Sequence, residues 1–344
     1  MSTQVFLSYL QDRRPLVEAW LHDHGWSCDV PGRASTDLGR YLYAPLAHYH
    51  AGGGKRVRPV LALLGCEAVG GLPEAALAAG CAIEFFQSAA LIHDDIADDG
   101  ELRRGEPCLH LTQGIGMAIN IGDAALVQVT DAILGDEELD HATRLKVLGH
   151  IVDMERRTLE GQALDLGWVR DGRWDLTTQD YLIMATLKTS HYSAATPLMA
   201  GAICGGANAR MVEALGKLGR SAGLAFQIQD DLLNLVGDAE SQGKDFRSDI
   251  TEGKRTLVMV HALEVLSPED RDELARILNA GTSDEALLER AVSIVRSSGS
   301  IDYARGYARR LADDAKQTAR NLDIMEDARD VLISMTDFFV ERAS

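Results

Sequence analysis

Two short acidic runs hold the residues of this chain with the most chemical potential. Residues 93–105 read His-Asp-Asp-Ile-Ala-Asp-Asp-Gly-Glu-Leu-Arg-Arg-Gly. At helical spacing Asp94 and Asp98, four apart, and Asp95 and Asp98, three apart, can turn their carboxylates to one face. Carboxylates gathered this way repel one another unless a cation neutralises them. An all-oxygen set with open positions suits Mg²⁺, which binds through a few carboxylates together with phosphate oxygens. Arg103 and Arg104 follow at once, and the guanidinium fork matches phosphate geometry.

The second run, residues 224–238, reads Leu-Ala-Phe-Gln-Ile-Gln-Asp-Asp-Leu-Leu-Asn-Leu-Val-Gly-Asp. Asp230 and Asp231 end an apolar helical stretch, and Asn234 lies four residues after Asp230. Two helices presenting such pairs to each other would line a cleft able to hold several metal ions. Lys244, Asp249 and Lys254 follow, Lys254 being a candidate clamp for a diphosphate or else an ordinary surface lysine after Gly253. An acidic helix end facing solvent explains one such run in isolation. The apolar lead-in over residues 79–92 and the arginine pair weigh against that reading. His93 beside Asp94 raises the alternative of an HD-type metal phosphohydrolase, but no further His and Asp ligands stand out, and His93 reads as a hydrogen-bonded helix residue. The glycines before Lys55 suggest a nucleotide loop, yet a P-loop requires GxxxxGK[ST] and Arg56 follows Lys55.

Helices must position these groups. Apolar residues recur at helical spacing nearly throughout, and no segment alternates cleanly enough for a strand. Ala and Leu are abundant, Pro is scarce at 8 residues, and breakers such as Ala51-Gly52-Gly53-Gly54 and Arg104-Gly105-Glu106-Pro107 punctuate the pattern. Ser267-Pro268-Glu269-Asp270 and Thr282-Ser283-Asp284-Glu285 read as helix starts with acidic first turns. No linker or repeat divides residues 1–344, so the expectation is one all-α domain of about ten or more helices.

Composition narrows the partners. A net charge of −18 opposes an encounter with nucleic acid or an anionic membrane. Anionic substrates would then need metal ions to supply positive charge. The five cysteines form no CxxC pair, which predicts reduced thiols in a cytoplasmic protein. Residues 1–26 carry charges throughout and lack the apolar core of a signal peptide. No stretch reaches the roughly 20 apolar residues of a membrane span.

With these motifs in order, the sequence resembles the trans-isoprenyl diphosphate synthases, from about residue 38 to about residue 335. Gly53-Gly54-Lys55-Arg56-Val57-Arg58-Pro59 is similar to the family's isopentenyl diphosphate loop, and Asp94-Asp95-Ile96-Ala97-Asp98 to its first aspartate-rich motif. Lys188-Thr189, Gln227, Asp230-Asp231, Asp249 and Lys254 resemble later stations. The resemblance implies a helical bundle around a central cavity and the condensation of isopentenyl diphosphate with an allylic diphosphate. It implies that Asp94, Asp95, Asp98, Asp230 and Asp231 hold about three Mg²⁺ ions on the allylic diphosphate, which Arg103, Lys188 and Lys254 also grip. Lys55, Arg58, Gln87 and Arg104 would hold isopentenyl diphosphate, and Lys244 belongs to the substrate-binding set. Thr189, Gln227 and the Lys188 carbonyl would lie near the developing allylic cation. A homodimer is implied as well. Asn234 departs from the third Asp of the family's second motif, and an amide is a weaker metal ligand than a carboxylate.

Product length should depend on the helix ending in the first motif. Ala89 and Ala90 lie about 6–7.5 Å below the metals and leave the pocket open, whereas Phe85 and Phe86, roughly 12–13.5 Å down, are candidates for its floor. That depth suggests a C20 product, with C15 or C25 and longer as alternatives. A non-catalytic subunit of a heteromeric synthase is the competing class, but such members lose first-motif aspartates and here all are present. A terpene cyclase would not need Lys55, Arg58 or Arg104.

Overall fold

The chain folds as helices from end to end, as the apolar period predicts, and the computed structural model describes residues 3–237 and 246–341. The first half contains α1 (Gln4–Asp23), α2 (Arg33–Leu38), α3 (Ala44–Ala51), α4 (Val57–Ala68), α5 (Leu77–Ala97), α6 (Leu109–Gln113), α7 (Ile115–Leu134) and α8 (His141–Arg170). After it come α9 (Thr178–Ala185), α10 (Thr196–Cys204), α11 (Ala209–Val236), α12 (Ser248–Thr251), α13 (Leu257–Val265) and α14 (Pro268–Leu278). Finally α15 (Glu285–Ser297), α16 (Ser300–Asn321) and α17 (Glu326–Glu341) complete the bundle. Two-residue strands β1 (Leu102–Arg103) and β2 (Glu106–Pro107) form an antiparallel pair, the only strands among the described residues. Both expected helix starts appear. Ser267 caps α14, and at the second site the cap is Asp284, whose carboxylate accepts from the Ala286 N–H at 2.8 Å.

α5 is apolar on nearly every side and so is driven to the centre, between α4 and α7. One large core cluster gathers α1, α4, α5, α10, α11 and α17, and a second gathers α9 and α13–α16. Between α8 and α11 runs a wide-turned π segment, Thr186–Ala195. It fits because Gly161 of α8 and Gly223 of α11 lack side chains where they meet it. A Cβ at Gly161 would overlap the Lys188 backbone, and one at Gly223 the Ser190 backbone. Two glycines thus fix the placement of Lys188 and Thr189.

The expectation that nothing here is long and apolar enough to cross a bilayer needs correcting. Two helical stretches, Pro73–Ala97 and Ile115–Leu134, meet that test by length and composition. The first is 72% buried in the protein, which identifies it as the core helix that ends in the first motif. The second is only 44% buried and keeps an apolar face outward.

Beneath the site, His50 is buried between Ser88 Oγ (3.0 Å from Nδ1) and Gln128 Oε1 (2.9 Å from Nε2). Burial lowers its pKa from 6.5 to about 4, although the Gln128 bond pulls the other way. Between those values the unfolded chain binds the proton and the folded chain does not. The stabilisation is therefore complete above pH 6.5 and is lost as pH falls towards about 4, in total about 3 kcal/mol. Denaturant titrations at pH 7 and pH 4.5 should show that loss, and His50→Gln should remove most of this component. An unchanged pH dependence in His50→Gln would refute it.

Candidate active site

The first acidic motif occupies the last turn of α5, and its neighbours point different ways because successive helical residues are about 100° apart. Asp94 faces the cleft and accepts from Gln162 Nε2 of α8 at 2.7 Å. One turn on, Asp98 accepts from Lys254 Nζ at 3.1 Å. Asp95 turns away, is buried, and binds the Arg103 guanidinium, whose Nε lies 2.9 Å from Oδ1. Burial raises the Asp94 pKa while the Lys188 charge lowers it, and burial prevails.

The second motif ends α11 in a similar division. Asp230 is exposed, whereas Asp231 is buried and accepts from Tyr181 Oη at 2.7 Å and Gln227 Nε2 at 2.6 Å. Burial pushes Asp231 up to about 7 despite both bonds. Asn234, the departure from the family pattern, has a visible job. Its amide donates to Ser248 Oγ at 3.1 Å, its side-chain oxygen accepts from the Asp249 N–H at 3.2 Å, and its carbonyl accepts from the Arg247 N–H at 2.9 Å. Asn234 therefore ties α11 to α12 and fixes Asp249, whose pKa burial raises strongly, helped by the Asp231 charge.

Two residues that the motif reading passed over organise the cleft. Asp165, buried on α8, accepts from Lys188 Nζ at 2.5 Å and lies 3.7 Å from Lys254 Nζ. Burial would raise its pKa, but the charges of Lys188 and Lys254 outweigh that and lower it. Both lysines would be lowered by burial; the Asp165 carboxylate raises them instead, with help from Asp94 for Lys188 and from Asp98 and Glu252 for Lys254. Gln162, the second overlooked residue, holds Asp94. A signal for both was present: Gly161-Gln162-Ala163-Leu164-Asp165 puts a carboxylate on the buried seam Val147, Ile151, Met154, Thr158, Gly161 of a long helix. Lys188, Thr189, Gln227, Asp231 and Lys254 line a cavity of about 80 Å³ with Asp165.

A second pocket of about 270 Å³ lies across α5 and brings Lys55, Arg58, Gln87 and Arg104 together, floored by Phe226, Phe338 and Phe339. Arg58 donates to Gln87 Oε1 at 2.8 Å and Ser193 Oγ at 3.1 Å and lies 4.4 Å from the Tyr192 ring centre. Arg104 donates to the Gly53 carbonyl at 2.6 Å. Gly54, at φ 123°, would bring a Cβ to 3.3 Å from that guanidinium, so the loop can close only without a side chain there. Arg56 turns inward with φ 51° and pairs with Glu84 at 2.7 Å, both nearly inaccessible. This anchor sets Lys55 and Arg58 on the pocket wall.

Of the proposed length-determining residues, Ala90 is half-buried and shares the face of Asp94, while Ala89 is fully buried against Ile121 and Ala125 of α7. Phe86 lies one turn below Ala90 and meets Tyr192 edge-on at 6.0 Å; Phe85 lies below Ala89, 4.7 Å from His50 and 6.2 Å from Trp20. Lys244 lies outside the described residues.

No three His, Cys, Asp or Glu side chains among the described residues converge closely enough to hold a metal alone. Asp94 and Asp98 do project into one cleft beside two lysines. That donor set fits an oxygen-preferring divalent ion whose remaining ligands come from a phosphate.

The chain is similar to known proteins. The sequence pattern described as polyprenyl synthetase matches residues 39–295. A short chain isoprenyl diphosphate synthase of Methanothermobacter thermautotrophicus is 43% identical over 299 residues, covering 86% of this chain and 88% of that protein. A geranylfarnesyl diphosphate synthase of Natronomonas pharaonis is 35% identical, covering 88% and 90%. The crystal structure of geranylgeranyl pyrophosphate synthetase from Pyrococcus horikoshii Ot3 superposes with a TM-score of 0.88 at 32% identity over 98% of each chain. A metal-fitting cleft and a second pocket with a cationic excess are what two diphosphates require, and with these matches the chain belongs to the polyprenyl synthetase family, the prenyltransferases that use divalent metal ions.

Proposed function

We propose that this prenyltransferase condenses isopentenyl diphosphate with an allylic diphosphate to give geranylgeranyl diphosphate, using about three Mg²⁺ ions. The observation that carries the assignment of substrates is the separation of two anion pockets by α5. The one lined by Asp94, Asp98, Lys188 and Lys254 takes the allylic diphosphate with metal. The one lined by Lys55, Arg58, Gln87 and Arg104 contains no unpaired carboxylate and takes isopentenyl diphosphate without metal. Mg²⁺, when bound, neutralises the allylic diphosphate and favours its departure as an anion.

The chain's own groups do the rest. Asp94, Asp98 and exposed Asp230 are the ligands offered to metal. Asp95 and Asp231 act behind them, Asp95 by orienting Arg103 and Asp231 by orienting Gln227. Lys188 and Lys254, kept protonated by Asp165, receive the departing negative charge. Thr189, buried, and Gln227 flank the allylic carbon, and the apolar walls keep water from the cation. The isopentenyl double bond attacks, and the released diphosphate removes the final proton. Asp94→Ala should lower kcat by about 10²–10³-fold or more while leaving metal-free binding of isopentenyl diphosphate unchanged. Full turnover in Asp94→Ala would refute the metal role.

Product length follows from what lies below Ala90. Phe86 blocks the cleft-facing side of α5, and Phe85 separates Ala89 from a cavity of about 700 Å³ lined by Trp20, Trp26, Leu77 and Ala132. A C20 chain reaches this pair, and a longer one must displace it. Phe86→Ala and Phe85→Ala should each shift product towards C25 and beyond, read by chromatography of the dephosphorylated alcohols. An unchanged product from both variants would remove these rings from the floor.

The enzyme acts as a homodimer through α7 and α8. Outward on α8 stand Leu145, Val152, Leu159 and Leu166, seven residues apart, with Leu145 66% and Leu159 65% exposed. Ile115, Ile119, Val127 and Leu134 extend the apolar face along α7. A stripe of this kind matches a second copy of itself about a two-fold axis. Leu159→Glu should halve the mass seen by light scattering at micromolar concentration. A wild-type protein that runs as a monomer would overturn this assembly.

A further inference from the structure

On the outer side of the β1–β2 hairpin lies a cavity of about 450 Å³ that neither diphosphate pocket accounts for. Its walls come from the segment around α3 and from the hairpin and α6. Arg40 and Arg104 bring two guanidiniums to it, against the single carboxylate of Glu106, while Arg103 also borders it with its guanidinium held by Asp95. In a chain with 34 basic and 52 acidic side chains, this positive charge stands against the overall balance. Ala44, Pro45, Pro107 and Leu109 supply an apolar part of the lining, and His48, Thr112 and Gln113 a polar part. Tyr49 also faces the cavity, and its hydroxyl is buried with no hydrogen-bond partner. A buried hydroxyl left unpaired costs about 1–3 kcal/mol, which a ligand oxygen would recover if the Tyr49 ring turned its hydroxyl into the cavity. Arg104 lines both this cavity and the Lys55–Arg58 pocket, so one guanidinium forms the wall between them.

We propose that this cavity is a second, inhibitory site for a short prenyl diphosphate, with the anion on Arg40, Arg104 and the Tyr49 hydroxyl and the chain against Pro45 and Leu109. The inference rests on reading the Lys55–Arg58 pocket as the isopentenyl diphosphate site. An anion in the outer cavity draws Arg104 towards itself and away from the Gly53 carbonyl and the inner pocket. Substrate at high concentration thereby weakens its own productive binding. The size lies within the range of small-ligand pockets, and the mixed cationic and apolar lining suits a diphosphate carrying a five-carbon chain better than free diphosphate.

Calorimetric titration of the full chain with isopentenyl diphosphate, in excess chelator to silence the metal-dependent cleft, separates the sites. Two ligands per chain are expected for the wild type. Ala44→Trp, which fills the cavity from an exposed position, and Arg40→Glu should each leave one. Arg58→Ala should remove the other, and if it does not, the reading of the inner pocket fails independently. One ligand per wild-type chain, or two persisting in Ala44→Trp, overturns the outer site. Inorganic diphosphate should bind the outer site at least tenfold more weakly, and equal affinity would overturn its preference for a prenyl chain. In initial-rate assays at fixed free Mg²⁺, Ala44→Trp should lose the fall in rate at high isopentenyl diphosphate and keep the wild-type rate at low concentration.

Discussion

Burying the Asp165 carboxylate between Lys188 and Lys254 lets two lysines stand, fully charged, in a cleft they share with Asp94, Asp98 and Asp231. Without that carboxylate, burial would depress both lysines and the cleft would meet a diphosphate with less positive charge. Without the lysines, Asp165 would itself be a buried charge with only the weaker attraction of Arg255 to compensate it. The three groups come from α8, the π segment and the turn after α12, so their attraction also draws together elements far apart in sequence. Asp98 and Asp94 reach the cluster from α5 through Lys254 and Gln162. The site is thus held partly by the charges that will later engage substrate, and ligand binding must exchange those contacts rather than simply add to them.

The same economy governs the other side of α5. A single helix presents Gln87 to the cationic pocket, Asp94 and Asp98 to the metal cleft, and Glu84 and Asp95 inward as counter-charges for Arg56 and Arg103. Removing either partner of the buried Arg56–Glu84 pair would cost about 3–5 kcal/mol, because the survivor would have no water to turn to. The acids and bases of this chain therefore divide into those that meet ligands and those that orient them. The division within each aspartate pair, Asp94 against Asp95 and Asp230 against Asp231, follows from helical geometry alone.

Much of this was legible in the sequence and some was not, for physical reasons. The 3.6-residue apolar period gave the helices, and the spacing within each acidic run gave the shared faces. The four residues assigned to isopentenyl diphosphate meet in one pocket. Gln162 and Asp165 escaped notice because their importance depends on what lies opposite, and opposite partners come from distant segments. Asn234 looked like a weakened metal ligand and is a cross-brace between helices, since spacing reports a side chain's direction but not the hydrogen bonds awaiting it. Apolar length was underread in one respect, since two helices are long and apolar enough for a bilayer and the first of them lies at the centre of the bundle.

α8 joins these themes. Its inner seam, Val147, Ile151, Met154, Thr158, Gly161 and Asp165, packs against the core and ends in the carboxylate that charges the cleft. Its outer seam of Leu145, Val152, Leu159 and Leu166 faces outward along the same 30 residues. Gly161, on the inner seam, sets the height of the π segment, while Leu159, two residues earlier, belongs to the outer one. A helix cannot shift one of its faces without the other. A partner seated on the outer seam would restrain the rise and rotation of α8, and with it the distances from Asp165 to Lys188 and from Gln162 to Asp94. Association through that face is then a constraint on the catalytic charges as well as a way to cover apolar surface, and the two demands are met by one helix carrying two interleaved seven-residue patterns.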